Sequence, residues 1–299
     1  MAIKIVTHWQ NFHIDELFAI SFIRLYVDKD LDIIRTRDKN VLNEATKDPN
    51  VWVLDVGGEY NPEIKNFDHH QKSFNETWAD GTPMSTCGIV WLYLKENNYL
   101  SQHMNKETIS EIEKRVIINV DKQDNGIEFW REAYFIGLFN RQTNDNEIHN
   151  RQFNKALNAT TEFFKNLFGD IRNDLKSLKV AEKSVKSSSD FDNVVFMDTN
   201  NNKAFSKLTE LTDKQICVLP YKSKTTWIIK SLPVKGSSSY SISCPMPSSW
   251  RGLSDKDLQD VSDVEGMVFC HKTGFMCVFE GTKEDAISLA NKIYLHNNM

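Results

Sequence analysis

The sequence contains the triplet Asp68-His69-His70, whose residue types are those of a metal site. Two adjacent histidines after an aspartate are seldom needed for ordinary packing, because a second imidazole rarely finds a buried hydrogen-bonding partner. Imidazole nitrogens and carboxylate oxygens are common protein ligands of divalent metals. The triplet therefore indicates one corner of a metal site, provided that other parts of the chain supply further ligands.

Three further clusters of possible ligands lie upstream or downstream of the triplet. Each has an ordinary explanation as well: Asp15 could cap a helix, Asp55 could cap a loop, and Asp124-Asn125-Gly126 is a typical turn. Together they supply nitrogen and oxygen ligands that suit Mn²⁺ or Zn²⁺, with Mg²⁺ less favoured. A carboxylate shared by two such ions would form a two-metal centre for phosphoester hydrolysis. The clusters are His8 to Glu16, Asp55 to Gly58, and Asp121 to Gly126.

The elements around these clusters predict an α/β domain with a mainly parallel sheet. Ile3 to Thr7, Asp32 to Thr36 and Val51 to Asp55 have the composition of strands, and Asp15 to Tyr26 has the apolar spacing of a buried helix. Ligands of such sheets bind beyond the carboxyl ends of the strands. His8 and Asp55 lie at such ends.

Helices are expected to extend the first domain, and the rest of the chain predicts a second, smaller domain of mixed α/β structure. The helical patterns of the extension are Ser85 to Leu94, Lys106 to Val120 and Phe153 to Leu178. The polar segment Lys183 to Asp192 is the expected boundary, which gives a catalytic domain with a helical extension over 1–185 and a substrate-binding domain over 190–299. Strands and a closing helix are expected at Val194 to Met197, Ile216 to Pro220, Thr225 to Ile229, Met267 to His271, Phe275 to Phe279 and Lys283 to Leu295.

Net charge, cysteine content and apolar segments indicate which compartment and which partners to expect for the protein. The 299 residues carry a net charge of −5, so any polyanion must be held by a local patch or by metal. The five cysteines form no C-x-x-C pair, which favours a reducing compartment. No apolar run approaches the ~18–20 residues needed to span a bilayer. No signal peptide or transit peptide is recognisable. We expect a soluble intracellular protein, cytoplasmic or nuclear, without a membrane partner; the oligomeric state is not indicated.

The clusters resemble the motifs of the DHH phosphoesterase superfamily, which includes RecJ-type exonucleases and manganese pyrophosphatases. The match is closer to one eukaryotic branch, the melanocyte-proliferating-gene family of metal-dependent exonucleases. This resemblance covers nearly the whole chain and is densest before residue 130. The matching motifs are Thr7-His8, Phe12 to Glu16, Arg35 to Asp38, Asp55 to Tyr60, Phe67 to Phe74, Asp121 to Ile127 and Trp250 to Leu253.

The resemblance implies two bound metal ions, with Mn²⁺ favoured over Mg²⁺ or Zn²⁺. His13 stands where other branches have aspartate, which adds nitrogen to the site. An Asp-x-Gly turn matches the superfamily's fourth motif better at Asp124, although the spacing leaves Asp121 open. The implied ligands are His8, His13 and Asp55 for one ion, and Asp15, Asp55, His69 and Asp124 or Asp121 for the other.

The resemblance also implies roles for residues around the metal ions. Asp55, His69 and His70 would be the catalytic residues, with Asp68 orienting an imidazole. Arg141 falls where the branch has an arginine, although a solvated helix arginine is an equal alternative. Trp250 could offer a platform for a base and Arg251 a cation for phosphate, although a buried tryptophan beside a surface arginine would give the same sequence. The implied substrate-binding residues are His70, Lys72, Arg141, Trp250 and Arg251.

The expected function is phosphodiester hydrolysis, most plausibly as a 3′–5′ exonuclease on single-stranded RNA. DHH proteins usually carry a Gly-Gly-His motif near the carboxyl terminus, but Gly274 to Thr282 here has neither the paired glycines nor the histidine. This departure leaves two alternatives open. One is a small-molecule phosphatase acting on pyrophosphate or short nucleotides, and the other is a catalytically silent binding protein on the same fold.

Overall fold

A computed structural model describes residues 2–140, 145–237 and 241–298. The chain divides into two compact units, Met1–Arg172 and Asn173–Met299. Helix α7 (Asn146–Ser187) begins in the first unit and continues into the second. Its end lies within the polar segment in which the sequence places the domain boundary.

The first unit contains a five-stranded sheet in the order β2-β1-β3-β5-β4. Strand β1 pairs in parallel with β2 and β3, β3 pairs in parallel with β5, and only the short β4 is antiparallel. Because parallel strands need crossover connections, helices cover this sheet. The strands are Ile3–Thr7, Leu31–Arg35, Val51–Leu54, Tyr60–Asn61 and Asn66–Phe67, numbered β1 to β5.

Helix α1 (Ile14–Tyr26) is the central helix of the first unit. Its residues from Ile14 to Ile23 are all buried, and its rings Phe18 and Phe22 pack against Phe164 of α7 with centroids 4.0 and 4.8 Å away. This packing fixes the start of α1 beside the sheet. The other helices of the unit are α2 Lys39–Ala45, α3 Thr86–Glu96, α4 Lys106–Ile112, α5 Ile118–Asp124 and α6 Tyr134–Gly137, with a π-helical turn, Glu113–Ile117, between α4 and α5.

The second unit contains a sheet in the order β6-β7-β8-β10-β9. Strands β6 and β7 are parallel, and the remaining pairs are antiparallel. Side chains alternate along β6, so that Val194 packs into one core cluster and Val195 into another. Its elements are β6 Val194–Phe196, α8 Asn202–Leu211, β7 Ile216–Pro220, β8 Thr226–Ser231, α9 Asp255–Ser262, β9 Met267–Cys270, β10 Met276–Glu280 and α10 Lys283–Asn297.

The predicted fold class is confirmed. The first unit has a mainly parallel sheet, and the second has a mixed sheet covered by helices. Within the described ranges, no helix combines the length and the apolar composition needed to cross a membrane.

Candidate metal centre

Three neighbouring parallel strands bring candidate ligands to one edge of the first sheet. His8 follows β1, Asp55 follows β3, and His69 comes two residues after β5. The strands are short and buried, and their carboxyl ends meet at this edge. The sheet therefore determines the positions of side chains that are far apart in sequence.

Asp55 lies at the centre of the cluster, and its two carboxylate oxygens face different groups. Oδ2 lies 3.2 Å from Nε2 of His8 and 3.9 Å from Nδ1 of His13. Oδ1 lies 3.4 Å from Nε2 of His69 and 3.6 Å from Nδ1 of His70. The residue itself adopts φ +57°, a left-handed conformation that aspartate and asparagine tolerate better than most residues.

Two helix ends add carboxylates to this edge. Helix α1 begins with Ile14 and places Asp15 in its first turn, and helix α5 ends at Asp124. Nε2 of His69 lies 3.4 Å from Oδ2 of Asp124 and 3.8 Å from Oδ2 of Asp15. His69 therefore links the sheet to both helix ends.

Among residues 2–140, 145–237 and 241–298, the potential ligand atoms form three groups, within each of which all atoms lie within 4.8 Å of one another. These candidate metal-binding groups are His8, His13, Glu16 and Asp55; Asp55, His69 and His70; and His13, Asp15 and Asp124.

The buried polar atoms of the cluster fit a metal ion. Asp15 is 0% exposed, yet neither of its carboxylate oxygens has a hydrogen-bond partner. A buried carboxylate without partners is costly, because its hydration is lost and nothing replaces it. Divalent cations bound by these atoms would supply the missing interaction.

Burial and mutual contacts shift the pKa values of the cluster in opposite directions. Burial raises the pKa of Asp15, and the nearby charges of Asp55 and Asp124 raise it further. Burial alone would also raise the pKa of Asp55, but its contacts with His69 and His8 outweigh burial and hold that pKa below its usual value. Burial works to lower the pKa of His8, yet its contacts with Asp55 and Glu16 raise it to about 10. The site therefore has an excess of negative charge that attracts cations.

Asp121 belongs to a different set of contacts. Its Oδ1 accepts hydrogen bonds from Ser85 Oγ at 2.6 Å and from the Gly88 N–H at 3.1 Å, and its Oδ2 accepts one from Trp78 Nε1 at 2.5 Å. Burial raises the pKa of this carboxyl to about 7. Asp121 joins α5 to α3, whereas Asp124, one turn later, faces His69.

Gly88 gives a direct test of this packing. A Cβ atom there would lie 2.1 Å from Oδ2 of Asp121, so we expect Gly88→Ala to destabilise the chain by about 1–3 kcal/mol. Gly169 in α7 is the matched control, because its Cβ would meet nothing within 4 Å and alanine favours a helix by up to about 1 kcal/mol. Urea unfolding of both variants measures the difference; equal stability of the two would contradict the packing described.

His70 is held by Asp68 at the exposed side of the cluster. Asp68 Oδ1 lies 2.7 Å from His70 Nδ1, and Asp68 Oδ2 accepts a hydrogen bond from the Gly58 N–H at 2.6 Å. The contact with Asp68 raises the pKa of His70. The His70 side chain is 60% exposed, and Lys72 is also exposed. Both side chains can therefore meet a ligand from solvent.

Two arginines fix the loop that carries His8 and His13. Arg35 donates a hydrogen bond to the carbonyl of Gln10 at 2.5 Å, and Arg37 donates one to the carbonyl of Trp9 at 3.2 Å. Arg35 also lies over the ring of Phe153, 4.3 Å from its centroid. Arg35 and Arg37 thus position the loop that carries His8 and His13.

The other predicted substrate-binding residues are Trp250, Arg251 and Arg141. Trp250 and Arg251 belong to the second unit, where Trp250 packs against the core and Arg251 Nε donates to the Met246 carbonyl at 2.9 Å. Arg251 also lies against Gly274, whose Cβ would be 2.6 Å from Nε. Arg141 lies outside the described residues.

Sequence reasoning did not select Glu16 as a ligand. Its carboxylate oxygens both accept from the His13 N–H at 2.8 Å, and Oε1 lies 3.1 Å from Nε2 of His8. A glutamate three residues after the residue that precedes a helix is the usual capping position. That spacing was the available signal, since it places the carboxylate beside His13.

Comparisons with known proteins identify the family. The MYG1 exonuclease family model, described as "Uncharacterised protein family (UPF0160)", matches residues 4–293. The MYG1 protein of Chlamydia pneumoniae is 29% identical over 92% of this chain and 91% of its own length. The MYG1 exonuclease of Mus musculus is 28% identical over 96% and 83%, respectively.

Two solved structures are also similar to this chain. PggH, a pGpG-specific phosphodiesterase from Vibrio cholerae, aligns over 98% of this chain and 99% of its own, with 15% identity and a TM-score of 0.30. Manganese-bound RecJ from Thermus thermophilus aligns over 97% of this chain and 52% of its own, with 10% identity and a TM-score of 0.27. Since the family model spans nearly the whole sequence, this chain belongs to the MYG1 exonuclease family, which its motifs predicted.

Proposed function

We propose that this chain is a metal-dependent phosphodiester hydrolase, a 3′–5′ exonuclease acting on single-stranded RNA through a two-metal centre. The observation that carries the proposal is the division of the Asp55 carboxylate, whose two oxygens face separate groups of histidines. Such a carboxylate is suited to bridge two ions. Relatives such as the Mus musculus protein are named exonucleases, which supports the same activity here.

The proposed ligands divide into two sets around Asp55. His8 and His13 complete one set, and Asp15, His69 and Asp124 complete the other. Their mixture of nitrogen and oxygen donors favours Mn²⁺, with Mg²⁺ and Zn²⁺ as alternatives. Bound ions of this kind lower the pKa of water and neutralise charge on a phosphoryl group.

His70 is proposed to contact the substrate phosphate. Its raised pKa, caused first by the contact with Asp68, favours the protonated imidazole that donates to a phosphate oxygen. Asp68 would keep the ring oriented. Lys72, Arg141, Trp250 and Arg251 are proposed as further contacts to the backbone or bases.

Two other functions would use the same site. The net charge of −5 and the lack of a Gly-Gly-His motif favour a phosphatase of pyrophosphate or short nucleotides as the second candidate. A silent binding protein would keep the fold without hydrolysis. Five free, buried cysteines support a reducing compartment, and we propose the cytoplasm or the nucleus.

A nuclease assay separates these functions. Oligoribonucleotides labelled at the 5′ or the 3′ end are incubated with the purified chain in Mn²⁺, Mg²⁺ or Zn²⁺, in parallel with pyrophosphate. We expect stepwise shortening from the 3′ end, fastest in Mn²⁺ and abolished by EDTA. Hydrolysis of pyrophosphate alone would favour the phosphatase, and no hydrolysis with any metal would refute an enzymatic function.

A further inference from the structure

We infer that a cavity beside Asp124 receives the terminal nucleobase of the substrate, an inference that rests on the proposed function and specifies its substrate class. The cavity has a volume of about 360 Å³. Small-molecule sites range from about 300 to 1,000 Å³, so this cavity has room for one nucleoside but not for a large ligand.

The cavity has two chemically different walls. His13, Gln123 and Asp124 form a polar wall that includes two proposed metal ligands. Ala133, Ile136 and Gly137, in and next to α6, form an apolar wall, and Phe12 and Ile14 add apolar side chains on either side of His13. A phosphate or pyrophosphate ion has no apolar group that could contact the apolar wall, whereas a nucleotide has a charged part and a planar apolar part. The arrangement therefore fits a nucleotide.

Three large apolar side chains close in sequence to the apolar wall are exposed. Phe129, Tyr134 and Leu138 are 63, 67 and 60% exposed. Tyr134 and Gly137 are three residues apart in α6 and are therefore neighbours on the helix surface, so Tyr134 lies next to a residue that lines the cavity. Large apolar side chains that are exposed together typically mark a binding surface. An aromatic ring at this position can stack on a base of any sequence.

The segment that carries these exposed side chains is held by contacts at both of its ends. The ring of Trp130 packs against Phe18 of α1, with centroids 5.9 Å apart, and the Trp130 N–H donates to Gln123 Oε1 at 3.0 Å. After α6, the Asn140 amide donates to the Phe12 carbonyl at 2.9 Å. Ring packing and a hydrogen bond thus hold one end of the segment against α1 and α5, and a hydrogen bond holds the other end to the loop that carries His8 and His13. Tyr134 is therefore exposed on a segment whose two ends are held in place.

Gly137 allows the cavity to be filled without removing a contact. A Cβ at this position meets nothing within 4 Å, so Gly137→Phe projects a ring into open space next to the polar wall. Gly169→Phe is the matched control, because Gly169 is also helical and its Cβ also meets nothing within 4 Å. Tyr134→Ala removes the aromatic ring, and Tyr134→Phe retains it. Tyr134 is exposed, so its variants should fold even if Gly137→Phe does not.

The test compares the binding of two fluorescent oligoribonucleotides, one natural and one whose 3′-terminal nucleotide lacks its base. Their linkages are phosphorothioates, which resist hydrolysis, and their dissociation constants are measured by fluorescence anisotropy in Ca²⁺, which binds carboxylate oxygens and offsets the negative charge of the cluster. We expect the wild type and Gly169→Phe to bind the natural oligomer about tenfold more tightly than the abasic one. Gly137→Phe and Tyr134→Ala should bind both oligomers equally, and Tyr134→Phe should recover the preference.

Several results would overturn the inference. These are equal binding of both oligomers by the wild type, no binding of either, or an unchanged preference in Tyr134→Ala. The assay needs no hydrolysis, so failure of the proposed function is seen separately, as lack of cleavage in Mn²⁺. A base preference without cleavage would keep the nucleobase site and refute only the enzymatic activity.

Discussion

Replacing Asp55 by asparagine should lower metal-dependent hydrolysis by at least about 100-fold while the chain stays folded. Loss of a group that merely supports a metal ligand typically costs about 10–100-fold, and Asp55 faces His8 and His69 directly. Asparagine retains the shape of the side chain and tolerates the left-handed backbone at φ +57°. Alanine would add backbone strain to the loss of the carboxylate, so asparagine isolates the chemical effect.

The control for this variant is Asp32→Asn. Asp32 is an exposed residue of β2, the strand next to β1, and its replacement removes the same charge away from the cluster. Initial rates in Mn²⁺ and the circular dichroism spectrum are measured for both variants. If Asp55→Asn retained more than a tenth of the wild-type rate, Asp55 would not be the shared ligand.

Replacing Asp15 by asparagine should stabilise the metal-free chain and remove most of the stabilisation that metal provides. In EDTA, the wild type must keep an unpartnered carboxyl group in the interior, close to Asp55 and Asp124. A carboxyl whose pKa is raised on folding destabilises the folded chain at neutral pH, and the neutral amide removes that cost, which we expect to add roughly 1–3 kcal/mol to the free energy of unfolding. Mn²⁺ at 100 times its dissociation constant would stabilise the wild type by about 2.7 kcal/mol.

Asp121→Asn is the matched control for the effect of Asp15→Asn. Asp121 is equally buried, but three donors already satisfy its oxygens. Its replacement should therefore destabilise the chain and leave the increase in Tm caused by Mn²⁺ unchanged. Tm is measured by thermal unfolding of each variant in EDTA and in Mn²⁺, which gives the four Tm values to be compared. A full Mn²⁺ shift in Asp15→Asn would exclude Asp15 as a ligand.

The sequence was sufficient to predict the elements that carry the site. Ile3 to Thr7 is a strand with the predicted bounds, because its apolar residues are continuous and a polar loop follows. The helix after it begins at Ile14, one residue before the predicted start, since buried apolar residues recur at helical spacing. Both elements follow from local sequence patterns, and a single sequence is sufficient to reveal such patterns.

Choices that depend on tertiary contacts were not readable in this way. Asp121 and Asp124 are one helical turn apart, and their spacing alone left either of them as the candidate ligand. The close approach of α3 at Gly88 brings Asp121 into hydrogen bonds with Ser85 and Trp78 and leaves Asp124 beside His69. No local pattern encodes that approach. The same reason applies to the cavity wall of α6, which depends on how Trp130 packs on α1.

The metal content of the purified chain tests the central claim most directly. The wild type and Asp55→Asn are dialysed against Mn²⁺, freed of unbound metal by gel filtration, and analysed by elemental mass spectrometry. We predict two manganese ions per wild-type chain and a clear loss of manganese in Asp55→Asn. A wild type that retains no manganese, zinc or magnesium would contradict the assignment of these buried carboxylates and imidazoles to a metal centre.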